Sequence, residues 1–176
     1  QSIDAFQNWV VTEMAARIAT AKDKRVLAQL DDTKVGIAEG NVLTAQTYDD
    51  ATIRKIFALI KAGGAKVVYA NNATIWNGLF GIQDGNKRPI FIPNQTGDPI
   101  VQGAVYGAPV KDDENIADDV AYFGVPLEIL ANNFDDLTMS NFMDPKTFAT
   151  TIGAYSLFDA GLRNPLAFVK VTFTKA

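Results

Sequence analysis

The 176-residue chain is expected to fold as an α+β protein, and three observations predict this class. The first thirty residues carry a helical repeat. The second half is a succession of short strand-like runs. The two kinds of element are segregated along the chain instead of alternating as βαβ units do. A composition of 48% hydrophobic and 20% charged residues is ordinary for a globular chain. The length suits one domain, or two small lobes sharing a core, and is enough to bury that core.

From Ser2 to about Leu30, Ile3, Phe6, Val10, Met14 and Ile18 recur every three or four residues, with Trp9 widening the stripe and Ser2 placed to cap the first turn. A helix of that length is expected to run across the body of the molecule as a strut. Asp31-Asp32, Gly36 and Gly40 break it into a loop or short strand reaching about Gln46. Thr47 followed by Asp50 resembles a capping box, with Asp in place of Glu, and opens a second helix. Ile53, Ile56, Phe57 and Ile60 are its expected buried face, and Gly63-Gly64 its expected end. "KVVYAN" (66–71) reads as a buried strand, "ATIWNGLFG" from Ala73 as a short helix, Asp84-Gly85-Asn86 as a turn and "RPIFIP" as a short strand. The polar loop "NQTGDP" (94–99) follows. Beyond it lie the strand-like pieces "QGAVYGAPV", "DVAYFGV", "LEILAN", "LTMSNFM" and "FATTIGAYSLFDAG".

The closing run "GLRNPLAFVKVTFTKA" is unusual for a chain end. Ala167, Val169, Val171 and Phe173 form one apolar face, and Leu166 and Phe168 make the start of the other face apolar too. A strand apolar on both faces belongs inside a sheet, whereas chain ends usually lie at the surface.

Composition also excludes several kinds of chemistry. There is no cysteine, which removes disulfides, thiolate nucleophiles and cysteine-based zinc sites. There is no histidine, the commonest general base and transition-metal ligand. The net charge of −4 lacks the basic surplus of a polyanion binder. No apolar run approaches the roughly 20 residues of a membrane helix, and "QSIDAFQNW" does not have the layout of a signal peptide. Gln1 suggests a sequence that begins inside a longer gene product.

Motifs for catalysis are weak. Ser2, Ser140 and Ser156 have neither a histidine nor a lysine three residues on. Gly63-Gly64-Ala65-Lys66 does not meet the phosphate-loop spacing. The acidic tract with Asp112, Asp113, Glu114, Asp118 and Asp119 is the best metal candidate, but it lacks the calcium-loop spacing and is read as a solvated loop between strands. Asp49-Asp50 and Asp135-Asp136 are adjacent pairs whose side chains would not face each other on a helix. Trp76, Phe80 and Phe91 could stack bases; without a basic groove they are expected in the core. No catalytic, cofactor or metal residue is assigned, and no enzyme is implied.

The order of the pieces carries more than any one of them. The stretch Tyr69 to Trp76 after a buried strand, the turn at Asp84-Gly85, Gly107-Ala108-Pro109-Val110, and Arg163-Asn164-Pro165-Leu166-Ala167-Phe168 follow a long helix and a capped helix. Together this series resembles the major capsid proteins of tailed bacteriophages, the Hong Kong 97 type. The resemblance implies a peripheral lobe of residues 1–44 and 134–161, with the long helix as its spine. It also implies an axial lobe of residues 45–133 and 162–176, with a central sheet flanked by helices. The terminal strand would lie in that sheet, covered by the helix from Thr47 on one face and the helix with Trp76 on the other. Asn94, Gln95, Thr96, Gly97 and Asp98 fall where the family places the loop facing the hexamer or pentamer axis.

The implied role is a structural shell subunit of a tailed phage or prophage, found in the virion. Its partners would be copies of itself, in hexamers and pentamers around double-stranded DNA that is held without specific binding; no membrane and no cofactor are implied. The family's N-terminal arm and extended hairpin have no counterpart here, so the chain is expected to be a C-terminal portion, monomeric or weakly associated when isolated. The prototype's lysine–asparagine cross-link is not supported. Its acceptor region would fall near Phe148-Ala149 and its glutamate near Tyr155, and the lysine-bearing hairpin is missing. An encapsulin-like compartment is the alternative within the fold, and a carboxylate-based metal hydrolase using residues 112–119 the alternative outside it.

Overall fold

The computed structural model describes residues 3–94, 100–147 and 150–174. Three α-helices and nine strands are described: α1 (Ile3–Leu30), β1 (Val42–Ala45), α2 (Asp50–Leu59), β2 (Val67–Ala70), α3 (Asn72–Asn77), β3 (Phe91–Pro93), β4 (Val101–Val105), β5 (Ala108–Asp112), β6 (Val120–Gly124), β7 (Ile129–Met143), β8 (Thr150–Leu162) and β9 (Phe168–Phe173). Seven strands form one mixed sheet in the order β1-β9-β6-β2-β5-β4-β3, and β7 and β8 form a separate two-stranded hairpin. The class is α+β, as expected.

Local chemistry explains most boundaries. The N-cap of α2 is Asp49, whose carboxylate accepts from Thr52 N at 2.7 Å. Thr47, the expected cap, instead donates its hydroxyl to Asp49. An aspartate accepts more strongly than a hydroxyl and faces the helix dipole, so the cap moves two residues along. The helix ends at Leu59, before Gly63-Gly64, because Ile60 is already extended and buried in the core. Asn71 caps α3 through Thr74 N at 2.8 Å. Tyr106-Gly107 closes the β4–β5 hairpin as a two-residue turn with φ of 50° and 79°, the left-handed pair such hairpins require. Tyr106 is held in that conformation by its hydroxyl, which donates to Asp50. Ser2 lies outside the described residues.

Strand β9 sits between β1, parallel to it, and β6, antiparallel to it. Val169, Val171 and Phe173 pack with Ile53 and Ile56 of α2, Ile75 of α3, and Val68, Val110 and Phe123 of neighbouring strands. Phe168 points to the other face, among Leu30, Ile37, Ile116 and Tyr122. The expectation of one helix on each face is therefore corrected. Both α2 and α3 cover the same face, and the end of α1 with the segment after it covers the opposite one. Alternation decides this: a strand followed by Lys170 and Thr172 has only Phe168 left to bury on its second face. The end of one long helix suffices for it.

Helix α1 lies against β8. Its expected stripe is only partly covered: Val10, Met14 and Ile18 are half-buried, while Phe6 is 62% and Trp9 61% exposed. Burial becomes complete at Gln29 and Leu30, where the helix meets the sheet. Accessible surface totals 11027 Å², against about 8,400 Å² for a compact monomer of this size. The chain offers more surface than a self-sufficient monomer needs.

Candidate assembly surfaces

The hairpin of β7 and β8 carries a group of exposed apolar side chains. The fifteen-residue β7 pairs with the thirteen-residue β8, with register shifts between Asn133 and Thr138. Ala154, Ser156 and Phe158 of β8 turn toward Ile18, Ala21, Lys22 and Arg25 of α1. The two elements are joined by Lys22 Nζ to Asn133 at 2.7 Å, by Arg25 and Gln29 to Asp159 at 3.2 Å each, and by Lys22 over the Phe158 ring. Tyr155 and Leu157, two residues apart on β8, stay exposed, as do Phe134, Phe142 and Met143. An isolated two-stranded ribbon is marginal in water, and packing on α1 supports one face of this one. Apolar surface of this kind marks contact sites.

Where the hairpin joins the sheet, the Arg163 guanidinium meets the Glu128 carboxylate through two bonds of 2.9 and 2.6 Å. The Arg163 hydrogen bonds hold the Glu128 carboxyl below its ordinary value. Arg163 N also donates to Glu128 O, so side chain and backbone fix one geometry at the hairpin base. Asn41, buried, donates to Phe168 O at 2.9 Å. Neither Glu128 nor Asn41 is singled out by the sequence, although Arg163 belongs to the terminal motif.

Two tyrosine hydroxyls, of the buried Tyr122 and the half-buried Tyr48, tie the sheet to its surroundings. Tyr122 donates to Asp31, which also pairs with Lys170 at 2.7 Å. Tyr48, stacked on Phe173 at 3.8 Å, donates to Asp119 at 2.9 Å. Burial, reinforced by the neighbouring carboxylate, pushes both phenols well above their ordinary value of 10.0. Since the folded state holds the proton more tightly than the unfolded chain, this stabilisation is fully present below pH 10 and falls away as pH rises beyond it. Melting temperatures between about pH 8 and 11.5 should therefore drop on the alkaline side, and Tyr48→Phe with Tyr122→Phe should flatten that drop. An unchanged slope would refute the assignment.

The expected axis loop is described only at its start. Asn94 N donates to Gln102 O at 3.0 Å and its side chain to Val101 O at 2.8 Å, anchoring the ends of β3 and β4 at the sheet's margin. Gln95, Thr96, Gly97 and Asp98 lie outside the described residues, as do Phe148 and Ala149 of the prototype's cross-link region. Tyr155 is a half-exposed residue of β8.

The acidic tract is a loop between β5 and β6, with Glu114, Ala117 and Asp118 exposed as a solvated loop requires, and it is held in place from within the chain. Asp113 accepts from Asn115 N and Ile116 is buried beside Tyr122. Asp118 accepts from the α3 cap Asn71, and Asp119 accepts from Tyr48 while its carbonyl takes Phe173 N at 2.7 Å. Among the described residues no group of carboxylates is arranged to hold a metal ion. Asp49 caps α2 and Asp50 pairs with Arg54 at 2.8 Å, so these two carboxylates are engaged separately and form no facing dyad, while Asp135 sits at the β7 irregularity. Ser156 donates to Asp135 O. Phe91 is buried, but Trp76 and Phe80 are near half exposed, which corrects their expected place in the core. They pack with Phe91 in one cluster of tilted rings whose centroids lie 5.2, 5.6 and 6.4 Å apart. A groove of about 520 Å³ that sequence reading missed lies between α2 and the β4–β5 hairpin, lined by Arg54, Phe57, Lys66, Tyr106 and Pro109. Its signal in the sequence is a run from Ala51 to Gln83 with four cations and no acid.

No helix among the described residues is long and apolar enough to cross a membrane. Comparison with curated protein sequences finds no match. Solved structures are similar in fold. One is the capsid of a native GTA particle, with TM-score 0.71 and 17% identity over 96% of this chain and 65% of that one. A Mycobacterium phage Che8 structure gives 0.63 and 15% over 99% and 65%. The SrpI encapsulin complex of Synechococcus elongatus PCC 7942 gives 0.61 and 10% over 92% and 65%. The chain thus spans just under two-thirds of these relatives. The profile of the phage capsid family matches residues 1–173, and the chain belongs to that family.

Proposed function

We propose that the chain is a shell subunit of the Hong Kong 97 type from a tailed phage or prophage, assembling as hexamers and pentamers around double-stranded DNA. Family membership across residues 1–173 carries this reading and makes the role structural and non-enzymatic, in a capsid. The surplus of accessible surface and the exposed apolar hairpin support it. The lobes are residues 1–44 with 134–161, centred on α1 and the hairpin, and 45–133 with 162–176, centred on the seven-stranded sheet. The contact of α1 with β8 supports this division. Residues 94–98 would face the symmetry axis. The net charge of −4 suits a wall that encloses DNA without gripping it.

An encapsulin-like compartment is the second reading, favoured by the likeness to the SrpI encapsulin. Nuclease-treated particles purified from the source cells distinguish the two. The chain is expected in particles that protect DNA. Particles holding protein without DNA would support a compartment, and a chain found only in the soluble fraction would overturn both. Isolated, the chain should sediment as a monomer or weak oligomer at micromolar concentration; closed shells would contradict that expectation.

A further inference from the structure

A cleft of about 190 Å³ lies between the last turns of α1 and the face of the sheet that carries Phe168. Leu27 and Leu30 of α1 close one side, and Tyr69, Tyr122 and Phe168 form the other. The register of the sheet sets these rings together: Tyr69 of β2 pairs with Tyr122 of β6, and the Phe168 ring lies over Gly124, two residues further along β6. An apolar protein cavity of about 150 Å³ is enough to take up benzene, so this cleft suits a ligand of about six to ten non-hydrogen atoms.

The charged residues of its lining are both acids, the exposed Asp23 and the half-buried Asp113. Neither forms an ion pair among the described residues. Asp113 accepts from Asn115 N and Nδ2 at Oδ1, which leaves its Oδ2 open. Burial first, and Asp113 second, raise the Tyr69 phenol above its ordinary value of 10.0, so its hydroxyl stays a donor facing that carboxylate. The cations around the cleft are engaged elsewhere or stand outside it. Lys170 pairs with Asp31 at 2.7 Å, Lys22 meets Asn133 and Arg25 meets Asp159. Lys24 is adjacent to Asp23 on α1, and adjacent helix residues do not face each other. Lys111, beside Tyr69 in the register of β2 and β5, does not line the cleft.

We propose that this cleft binds a short aliphatic amine in its ammonium form, with the alkyl chain between the leucines and the rings and the ammonium at Asp113 and Asp23. Apolar walls with a few placed polar groups are the usual make-up of a small-ligand site. Ionised carboxylates only accept hydrogen bonds, and aromatic faces attract cations, so the lining selects an ammonium over an acid of the same length. Lys170, over the Tyr122 ring at 5.6 Å, already uses one of these rings in that way. Both acids are in contact with water, so they act more on selectivity than on affinity, which comes from the walls. The inference goes beyond the shell reading and does not depend on it.

The test titrates the ¹⁵N-labelled chain at neutral pH with hexylamine, hexan-1-ol and hexanoate, and follows the amide shifts by NMR. Hexylamine is expected to give saturable shifts at Leu27, Tyr69, Tyr122 and Ile129, with a Kd of about 1 mM. Hexan-1-ol should bind several-fold more weakly, and hexanoate not measurably. Asp23→Asn with Asp113→Asn should bring hexylamine down to the level of hexan-1-ol. Neither acid lies in the core and the amide oxygen still accepts from Asn115, so this variant should fold, as a thermal melt checks. Leu27→Trp should fill the cleft and block hexylamine and hexan-1-ol alike; if it does not fold, the doubly substituted chain decides. Hexan-1-ol bound as tightly as hexylamine, shifts scattered over the surface, or no saturation by about 10 mM would overturn the inference and leave the shell reading untouched.

Discussion

A chain ending at Asn164 is expected to be unfolded or aggregated, with no cooperative thermal transition by circular dichroism. Trimming a dozen residues from a chain terminus is ordinarily harmless. Here the removed segment is the second strand of the sheet. Ala167, Phe168, Val169 and Val171 are wholly buried and Phe173 is 3% exposed. The four larger side chains together represent about 6–12 kcal/mol of burial, comparable with the whole stability of such a domain at about 5–15 kcal/mol. Backbone losses add to this. β1 pairs with no other strand, β6 loses one of its two partners, and Ala38 N, Lys61 N and Val125 N lose the carbonyls of Pro165, Leu166 and Ala167. Single substitutions grade the effect: Val169→Ala or Val171→Ala should cost about 2–4 kcal/mol. A soluble truncated chain with a sharp melt would place β9 outside the core.

Gly124→Ala should be among the most damaging single-methyl additions available. Gly124 pairs with Phe168 across β6 and β9. A Cβ there would stand 2.3 Å from Phe168 Cδ1 and 2.7 Å from Ala167 O. The ring is wholly buried and the oxygen is backbone, so neither has room to yield. Overpacking of this sort costs about 3 kcal/mol or more at a rigid site. Phe168→Ala alone should cost about 3–5 kcal/mol by leaving a cavity. In that cavity the added methyl meets less resistance, so the double variant should be more stable than additivity predicts, by about 1–2 kcal/mol. The clash with Ala167 O remains, and the coupling is therefore partial. Urea titrations of the four proteins give the cycle; strict additivity would mean that ring and glycine do not meet as described.

The elements were legible in the sequence wherever local chemistry decides them. The repeat from Ile3 to Ile18 marks α1, the unbroken apolar run Val67–Ala70 marks β2 as a buried strand, and Asp84-Gly85-Asn86 marks a turn held by Asp84. The two apolar faces at the start of β9 announced an interior strand, and the order of motifs pointed to phage capsid proteins, the broader family to which the chain belongs. What the residues could not say was which element covers which face. That depends on contacts between residues more than a hundred positions apart, such as Asn41 with Phe168 or Asp31 with Lys170. Both α2 and α3 came to lie on one face because Val169, Val171 and Phe173 share it, leaving Phe168 to the end of α1. The acidic tract reads as a solvated loop in one dimension. Only the fold brings Tyr48, Asn71 and Phe173 to it, holding it in place. Residue type and spacing determined the elements and the chemistry this chain excludes. Long-range packing alone decided its surfaces, because a surface is what remains after distant segments have covered one another.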